Sequence, residues 1–147
     1  MWSPHKVKLA VSGCPRNCAE AGIKDVGVIG VDSGWEIYVA GNGGIKTEVA
    51  EFLCKVKTRE EVLETTAAFL QLYREEAWYL DRTVHYVQRV GLDYVRKQVV
   101  EDGARRAELS ARLLDALKDY EDPWKKAVEQ TPEKPLRRQF EIIQIDA

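Results

Sequence analysis

The length, composition and charge of the chain exclude several classes of protein before any motif is considered. Its 147 residues, 45% of them hydrophobic, suffice for one moderate core, and a net charge of −2 from 22 basic and 24 acidic residues offers no basic field to nucleic-acid phosphates. No apolar run approaches the roughly 20 residues that a membrane helix needs, and the N-terminus lacks the layout of a signal peptide, so we expect a cytoplasmic protein that binds neither nucleic acid nor a membrane.

The first part of the chain has the composition of strands and loops, with eight of the ten glycines in its first fifty residues. Hydrophobic and polar residues alternate from Lys6 to Val11 and place Val7, Leu9 and Val11 on one face. This alternation predicts a half-buried strand that ends at Ser12-Gly13. A loop that carries two cysteines follows.

A β-hairpin is predicted next, from Asp25–Val31 and Trp35–Ala40. The connection Asp32-Ser33-Gly34 has three residues, with glycine where a left-handed conformation is commonly needed. The glycine-rich stretch 41–44 (Gly-Asn-Gly-Gly) then permits close backbone approaches that a side chain would block.

From Thr58 onward the hydrophobic period changes to that of helices. Thr58-Arg59-Glu60-Glu61 is a capping-box pattern, and apolar or small residues then recur at helical spacing, at Val62, Thr66, Phe69, Tyr73 and Ala77. Further helix is predicted over Arg82–Val90 and Leu92–Val100, around Gly91, and over Ala104–Tyr120, closed by Pro123.

These elements predict an α+β fold in three parts. Residues 1–57 would form a small antiparallel hairpin or sheet with the cysteine loop, and residues 58–130 a mainly helical region. Residues 131–147 would be a linker followed by a short strand at Phe140–Ile145.

The candidate functional site is the loop that holds Cys14 and Cys18. An odd total of three cysteines favours a metal or redox role in a reducing compartment over a disulfide framework. If the loop were helical, the C-x3-C spacing would place both thiolates one turn apart, facing one cluster. Pro15 restricts the backbone, and Asn17 can cap a turn or donate to a sulfide. The spacing alone leaves metal ligation and two buried thiols equally open.

Longer segments carry a resemblance to a known family. Lys8 to Cys18, Gly22, the hairpin with Gly34–Val39 and the stretch 41–44 together resemble the second half of the cluster domain of nitrite and sulfite reductases. Downstream, Tyr79–Thr83 and Gln88–Gly91 are similar to the C-terminal region of the large subunits of assimilatory NAD(P)H-dependent nitrite reductases. The resemblance covers about residues 4 to 128 and favours nitrite over sulfite.

The resemblance implies a set of cofactors and ligands. In that family a C-x5-C pair and a C-x3-C pair hold one 4Fe-4S cluster, whose last cysteine also bridges to siroheme. Carried over, Cys14 is a cluster ligand and Cys18 is both a ligand and the siroheme bridge. From their residue types, we further expect cofactor contacts at Arg16, Asn17, Asn42, Gly43 and Gly44, with Lys46 adding charge; Arg16 could instead be solvated.

The implied activity is reduction of nitrite to ammonia, a six-electron reaction, with electrons from NAD(P)H and with FAD in the full-length enzyme. The C-x5-C pair is absent from this chain. We therefore expect an inactive fragment that is completed by upstream domains of the same polypeptide, and a small reductase subunit is a further candidate partner.

Three other functions stay open. A sulfite reductase hemoprotein shares the cysteine loop, a small zinc-binding or interaction module would use Cys14, Cys18 and Cys54, and a cofactor-free scaffold would bind no metal. For several other residues the structural interpretation is preferred: Cys54 as a buried small hydrophobe, His5 and His85 as non-catalytic, and Trp35 and Tyr38 as sheet residues.

Overall fold

The computed structural model describes residues 2–130, so the predicted linker and strand over 131–147 lie outside the described residues. The strands are β1 (Leu9–Ser12), β2 (Val26–Val31), β3 (Gly34–Val39), β4 (Asn42–Gly43), β5 (Thr47–Glu48) and β6 (Glu51–Val56). The α-helices are α1 (Arg59–Glu76), α2 (Thr83–Val90), α3 (Leu92–Arg96), α4 (Gly103–Leu117) and α5 (Pro123–Gln130). A 3-10 turn at Ala21–Ile23 and a π-helical turn at Lys97–Glu101 complete the elements.

A four-stranded sheet in the order β1-β2-β3-β6 underlies the fold. Strand β1 runs parallel to β2, and the other two pairs are antiparallel, so the sheet is mixed rather than wholly antiparallel. The α+β class is confirmed. Strand β6 was not predicted from the sequence. It is a short segment, and its pairing with β3 becomes evident only in the folded chain.

The prediction for β1 is wrong in its burial. The strand is Leu9–Ser12, and Leu9 and Val11 are 56% and 62% exposed, whereas Ser12 is buried. Leu9 and Val11 pair in register with the buried Val26 and Val28 of β2. They are exposed because β1 is the edge strand, and the alternation of residues did not reveal which face of that edge is covered.

The hairpin of β2 and β3 is confirmed, with a shorter connection than predicted. Val31 pairs with Gly34, which leaves two residues in the turn and puts the glycine inside β3. Gly34 has φ +130°, and a Cβ there would lie 2.3 Å from the carbonyl oxygen of Val56 in β6. Glycine is therefore required at this position by both conformation and contact.

The close backbone approaches predicted near Gly41 also exist. A Cβ on Gly41 would lie 2.6 Å from the carbonyl oxygen of Lys24, and one on Gly27 would lie 2.0 Å from that of Ala21. The neighbour in both cases is the segment of this same chain that follows the cysteine loop, so the glycines let that segment lie against β2 and against the start of the β4–β5 hairpin.

The helices follow the predicted order. Thr58 caps α1 through a complete capping box: its hydroxyl accepts from the backbone N–H of Glu61, whose carboxylate accepts from the backbone N–H of Thr58. Gly91, at φ +87°, separates α2 from α3. Helix α4 ends at Leu117, and Pro123 begins α5 instead of closing α4, because proline is well suited to a first helical turn.

One hydrophobic core joins the strands and helices. It contains Val26, Ile37, Val39 and Leu53 from the sheet and Phe69, Leu72, Tyr73, Val84, Tyr86, Val87, Val95, Val99 and Leu109 from the helical region. The core thus extends across the expected boundary at residue 58. Within residues 2–130, no helix combines the length and apolar character needed to cross a membrane.

Candidate functional site

The cysteine loop connects β1 to the 3-10 turn and displays both thiols on the surface. Cys14 and Cys18 are exposed. The loop is not helical: the backbone N–H of Asn17 donates to the carbonyl of Cys14 at 3.2 Å, and Asn17 adopts a left-handed conformation with φ +53°. The condition under which the C-x3-C spacing would place both thiolates one helical turn apart is therefore not met, because a tight turn separates the cysteines instead.

Asn17 holds this turn from its centre. Its side-chain oxygen accepts hydrogen bonds from the hydroxyl of Ser12 and the backbone N–H of Gly22, each at 3.3 Å. Its carbonyl accepts from the N–H of Glu20 at 2.8 Å. The Ser12 hydroxyl in turn accepts from the N–H of Ala19 at 3.3 Å. The backbone on both sides of Cys18 is thereby attached to the end of β1.

Cys14 lines an open groove with Gly13, Pro15, Gly30, Asp32 and Trp35, among others. The absence of a side chain at Gly30 matters here, because a Cβ would lie 2.7 Å from the carbonyl oxygen of Gly13. Trp35 is half-buried and lines this groove. It is therefore both a residue of β3 and a neighbour of Cys14. Tyr38 instead packs edge-on against Phe52, as expected of a sheet residue.

The other predicted contacts lie elsewhere. Asn42, Gly43 and Gly44 line a second groove, together with Lys6, Lys8, Glu20, Lys24, Asp25 and Arg82. The side-chain amide of Asn42 donates to the carbonyl of Lys46, and Lys46 pairs with Glu48 at 3.0 Å, so both act within the β4–β5 hairpin. Arg16 is exposed and lines neither groove. The described residues therefore do not gather the predicted contacts into one groove.

A buried carboxylate in the second groove, that of Asp25, was not identified from the sequence. Asp25, only 1% exposed, accepts hydrogen bonds from the backbone N–H of Lys8 at 2.8 Å, from the Arg82 guanidinium at 3.0 Å and from the Thr83 hydroxyl at 2.5 Å. It ties the start of β1 and β2 to the start of α2. A lone aspartate before a strand resembles a turn residue, and the separation of 57 positions between Asp25 and Arg82 hides the pair.

The other titratable residues considered from the sequence are Cys54, His5 and His85. Cys54 lies in β6 at 9% exposure, and burial, partly offset by Arg106 and Arg96, raises the pKa of its thiol to about 11. A protonated thiol is a poor metal ligand, which agrees with the prediction that Cys54 packs as a small hydrophobe. His85 is exposed on α2, and His5 accepts from the backbone N–H of Lys6.

The donor set fits half of an iron-sulfur site. Cys14 and Cys18 offer two exposed thiols on one loop, and thiolates are the ligands that such clusters use. Among residues 2–130, no group of three or more cysteine, histidine, aspartate or glutamate side chains could enclose a metal ion.

Comparison with known proteins gives consistent matches. A family model for the nitrite and sulphite reductase 4Fe-4S domain matches residues 1–106. The chain is 55% identical over 127 residues to an NAD(P)H nitrite reductase of Bacillus subtilis, covering 86% of this chain and 16% of that protein.

A nitrite reductase (NADH) large subunit of Escherichia coli is 38% identical over 121 residues, which are 78% of this chain and 14% of that protein. An assimilatory-type sulfite reductase of Nitratidesulfovibrio vulgaris is 31% identical over 97 residues, which are 66% of this chain and 44% of that protein. The chain thus spans only a small part of the nitrite reductases that it matches.

Proposed function

Because the chain belongs to the nitrite and sulphite reductase 4Fe-4S domain family, we propose that it is the C-terminal portion of an NAD(P)H-dependent nitrite reductase. In this proposal Cys14 and Cys18 supply two of the four cluster thiolates. The observation that carries the proposal is the pair of exposed thiols on one hydrogen-bonded turn, which no third candidate metal ligand joins among residues 2–130. A segment with a further cysteine pair, upstream in the same polypeptide, would complete the site.

The cluster and siroheme would supply the one-electron steps that convert nitrite to ammonia. This chain would present Cys18 as a thiolate that holds both groups, and the shared ligand would give electrons a short covalent path. Arg16, which is exposed and precedes Cys18 by two residues in the sequence, would balance negative charge on the cluster or on the macrocycle. FAD and NAD(P)H would bind to other domains, and the enzyme would work in the cytoplasm.

Nitrite is favoured over sulfite by the extent of the matches. The relatives named as nitrite reductases cover 86% and 78% of this chain, and the one named as a sulfite reductase covers 66%. A sulfite reductase remains the alternative, and it is distinguished by comparing nitrite and sulfite as electron acceptors for the loaded enzyme. Nitrite is expected to be reduced with the higher kcat/KM.

The test is anaerobic reconstitution of this chain joined to the polypeptide encoded upstream of it, followed by analysis of metal and acid-labile sulfide. We expect about four iron atoms and four sulfides per polypeptide. The isolated chain should hold no stable cluster, because it offers only two thiolates. One tightly bound zinc per chain, with no iron taken up by the extended polypeptide, would contradict the proposal and favour a structural zinc module.

A further inference from the structure

Asn17, between the two cysteines, directs its side-chain oxygen towards other residues of the chain. The sequence suggested Asn17 as a cofactor contact, and in the folded chain its side-chain oxygen accepts from the Ser12 hydroxyl and from the Gly22 backbone N–H. A third bond, from the Ala19 N–H to the Ser12 hydroxyl, extends the same network past Cys18. We call Ser12 and Asn17, with these three bonds, the loop clamp.

Each bond of the loop clamp is individually modest. At 3.3 Å, all three are longer than the most common lengths, which are roughly 2.9–3.0 Å for N–H to oxygen bonds and 2.7–2.8 Å for O–H to oxygen bonds. Their effect comes from their arrangement, since they join the end of β1 to the backbone on both sides of Cys18. Ser12 is itself buried at 4% exposure, so the clamp is anchored in the folded body of the protein.

The backbone of Asn17 adds a second constraint. Its φ of +53° lies in the left-handed region, which asparagine tolerates better than most residues other than glycine. In this conformation its N–H reaches the Cys14 carbonyl and its C=O reaches the Glu20 N–H. One residue therefore makes hydrogen bonds to both arms of the turn, while neither cysteine side chain is itself buried.

We infer that Asn17 is a positioning residue, which acts with Ser12 to hold Cys14 and Cys18 as a preformed pair of metal-facing thiolates. The inference rests on the proposed function, because it takes the two thiols to be ligands. A preformed pair binds metal more tightly than a mobile one, since less conformational entropy is lost on binding. Asn17 thus supports the two ligands through the hydrogen bonds that its side-chain oxygen accepts.

The experiment titrates this chain with Cd²⁺, a soft ion that binds thiolates, and follows the ultraviolet absorption of the cadmium–thiolate bonds. Asn17→Gly permits the left-handed backbone conformation and removes the side-chain acceptor. Asn17→Asp also tolerates that conformation and retains a side-chain oxygen as the acceptor. We expect Asn17→Gly to bind Cd²⁺ about tenfold more weakly or worse, in line with the loss of other supporting partners of metal ligands. Asn17→Asp should stay close to wild type.

Two further variants complete the design. Leu80→Gly is the matched control, because Leu80 is exposed and left-handed with φ +68° and lies outside the clamp. Its Cd²⁺ affinity should equal that of wild type. Ser12→Ala should weaken binding, and the double variant with Asn17→Gly should lose less than the two single losses combined, since both remove the same bond.

Wild-type affinity in Asn17→Gly would overturn the inference, as would an equal loss in Asn17→Asp. A wild-type chain that forms no complex with both thiolates would also overturn it, because the clamp would then present no ligand pair. The iron and sulfide content of the extended polypeptide tests the proposed function separately, so the failure of either idea can be distinguished from the failure of the other.

Discussion

At the scale of single residues, the three cysteines differ in what surrounds their sulfurs. Cys14 and Cys18 are exposed on a turn, while Cys54 lies within β6 and is buried. The C-x3-C spacing was visible in the sequence, since it is local. The turn that separates the two cysteines was not, because it depends on the contacts of Asn17 with Ser12 and Gly22.

Replacement of Cys18 by serine tests its proposed role as the shared ligand. In the complete enzyme, Cys18→Ser should abolish nitrite reduction, because a hydroxyl is a harder and weaker ligand than a thiolate. The measurement is reduction of nitrite by NAD(P)H, with the siroheme spectrum recorded in parallel. Turnover at the wild-type rate would show that Cys18 is not needed.

The raised pKa of Cys54 predicts a pH effect on stability. With a thiol pKa of about 11 in the folded chain against an ordinary value near 9.0, the folded state binds the proton more tightly than the unfolded state. The stabilisation is complete below pH 9 and is lost as the pH rises towards 11. Cys54→Val should therefore lose less unfolding free energy than wild type between pH 9 and pH 11.

Urea unfolding at several pH values gives this difference, and the other alkaline groups cancel in the comparison. If the unfolding free energies of wild type and Cys54→Val fell in parallel between pH 9 and pH 11, burial would not be raising the pKa of the thiol.

At the scale of elements, the position of the cysteine loop depends on close backbone packing. The 3-10 turn Ala21–Ile23 that follows the loop lies against β2 at Gly27. The sequence predicted such a close approach at the glycines near position 41, although it could not identify the neighbour. Local signals such as the capping box of α1 and the β2–β3 hairpin were also predicted, because they need only adjacent residues.

Gly27→Ala should displace the cysteine loop. The new Cβ would lie 2.0 Å from the carbonyl oxygen of Ala21, so the backbone must move. We expect a loss of about 1–3 kcal/mol in unfolding free energy, as for other overpacked sites. Chemical denaturation measures the loss. Gly13→Ala is the control, since its Cβ would meet nothing within 4 Å. Equal stability of the two variants would contradict the packing described here.

At the scale of the whole molecule, Asp25 connects the part that carries the cysteines to the helical part. Its partners are Lys8, Arg82 and Thr83, which lie 17, 57 and 58 residues away in the sequence. Such separations explain why the sequence revealed the fold class and the cysteine pair but neither this contact, nor strand β6, nor the exposed face of β1. Each of these depends on which distant segment becomes a neighbour.

Asp25→Asn should destabilise the whole chain. The amide leaves the largely buried Arg82 guanidinium without its counter-ion, which typically costs about 3 kcal/mol or more when one partner of a buried pair is removed. Asp93→Asn makes the same chemical change in an exposed pair with Arg96 and should cost far less. The comparison is made by urea unfolding, and equal losses would show that the Asp25 pair contributes no more than a surface pair.

The most direct test of the half-site compares three variants of the reconstituted, extended polypeptide: Cys14→Ser, Cys18→Ser and Cys54→Ser. Iron and acid-labile sulfide are measured for each under anaerobic conditions. The proposed ligand set predicts that the first two lose the cluster and that Cys54→Ser retains it at the wild-type level. Full cluster content in Cys14→Ser or Cys18→Ser, or loss of the cluster in Cys54→Ser alone, would contradict it.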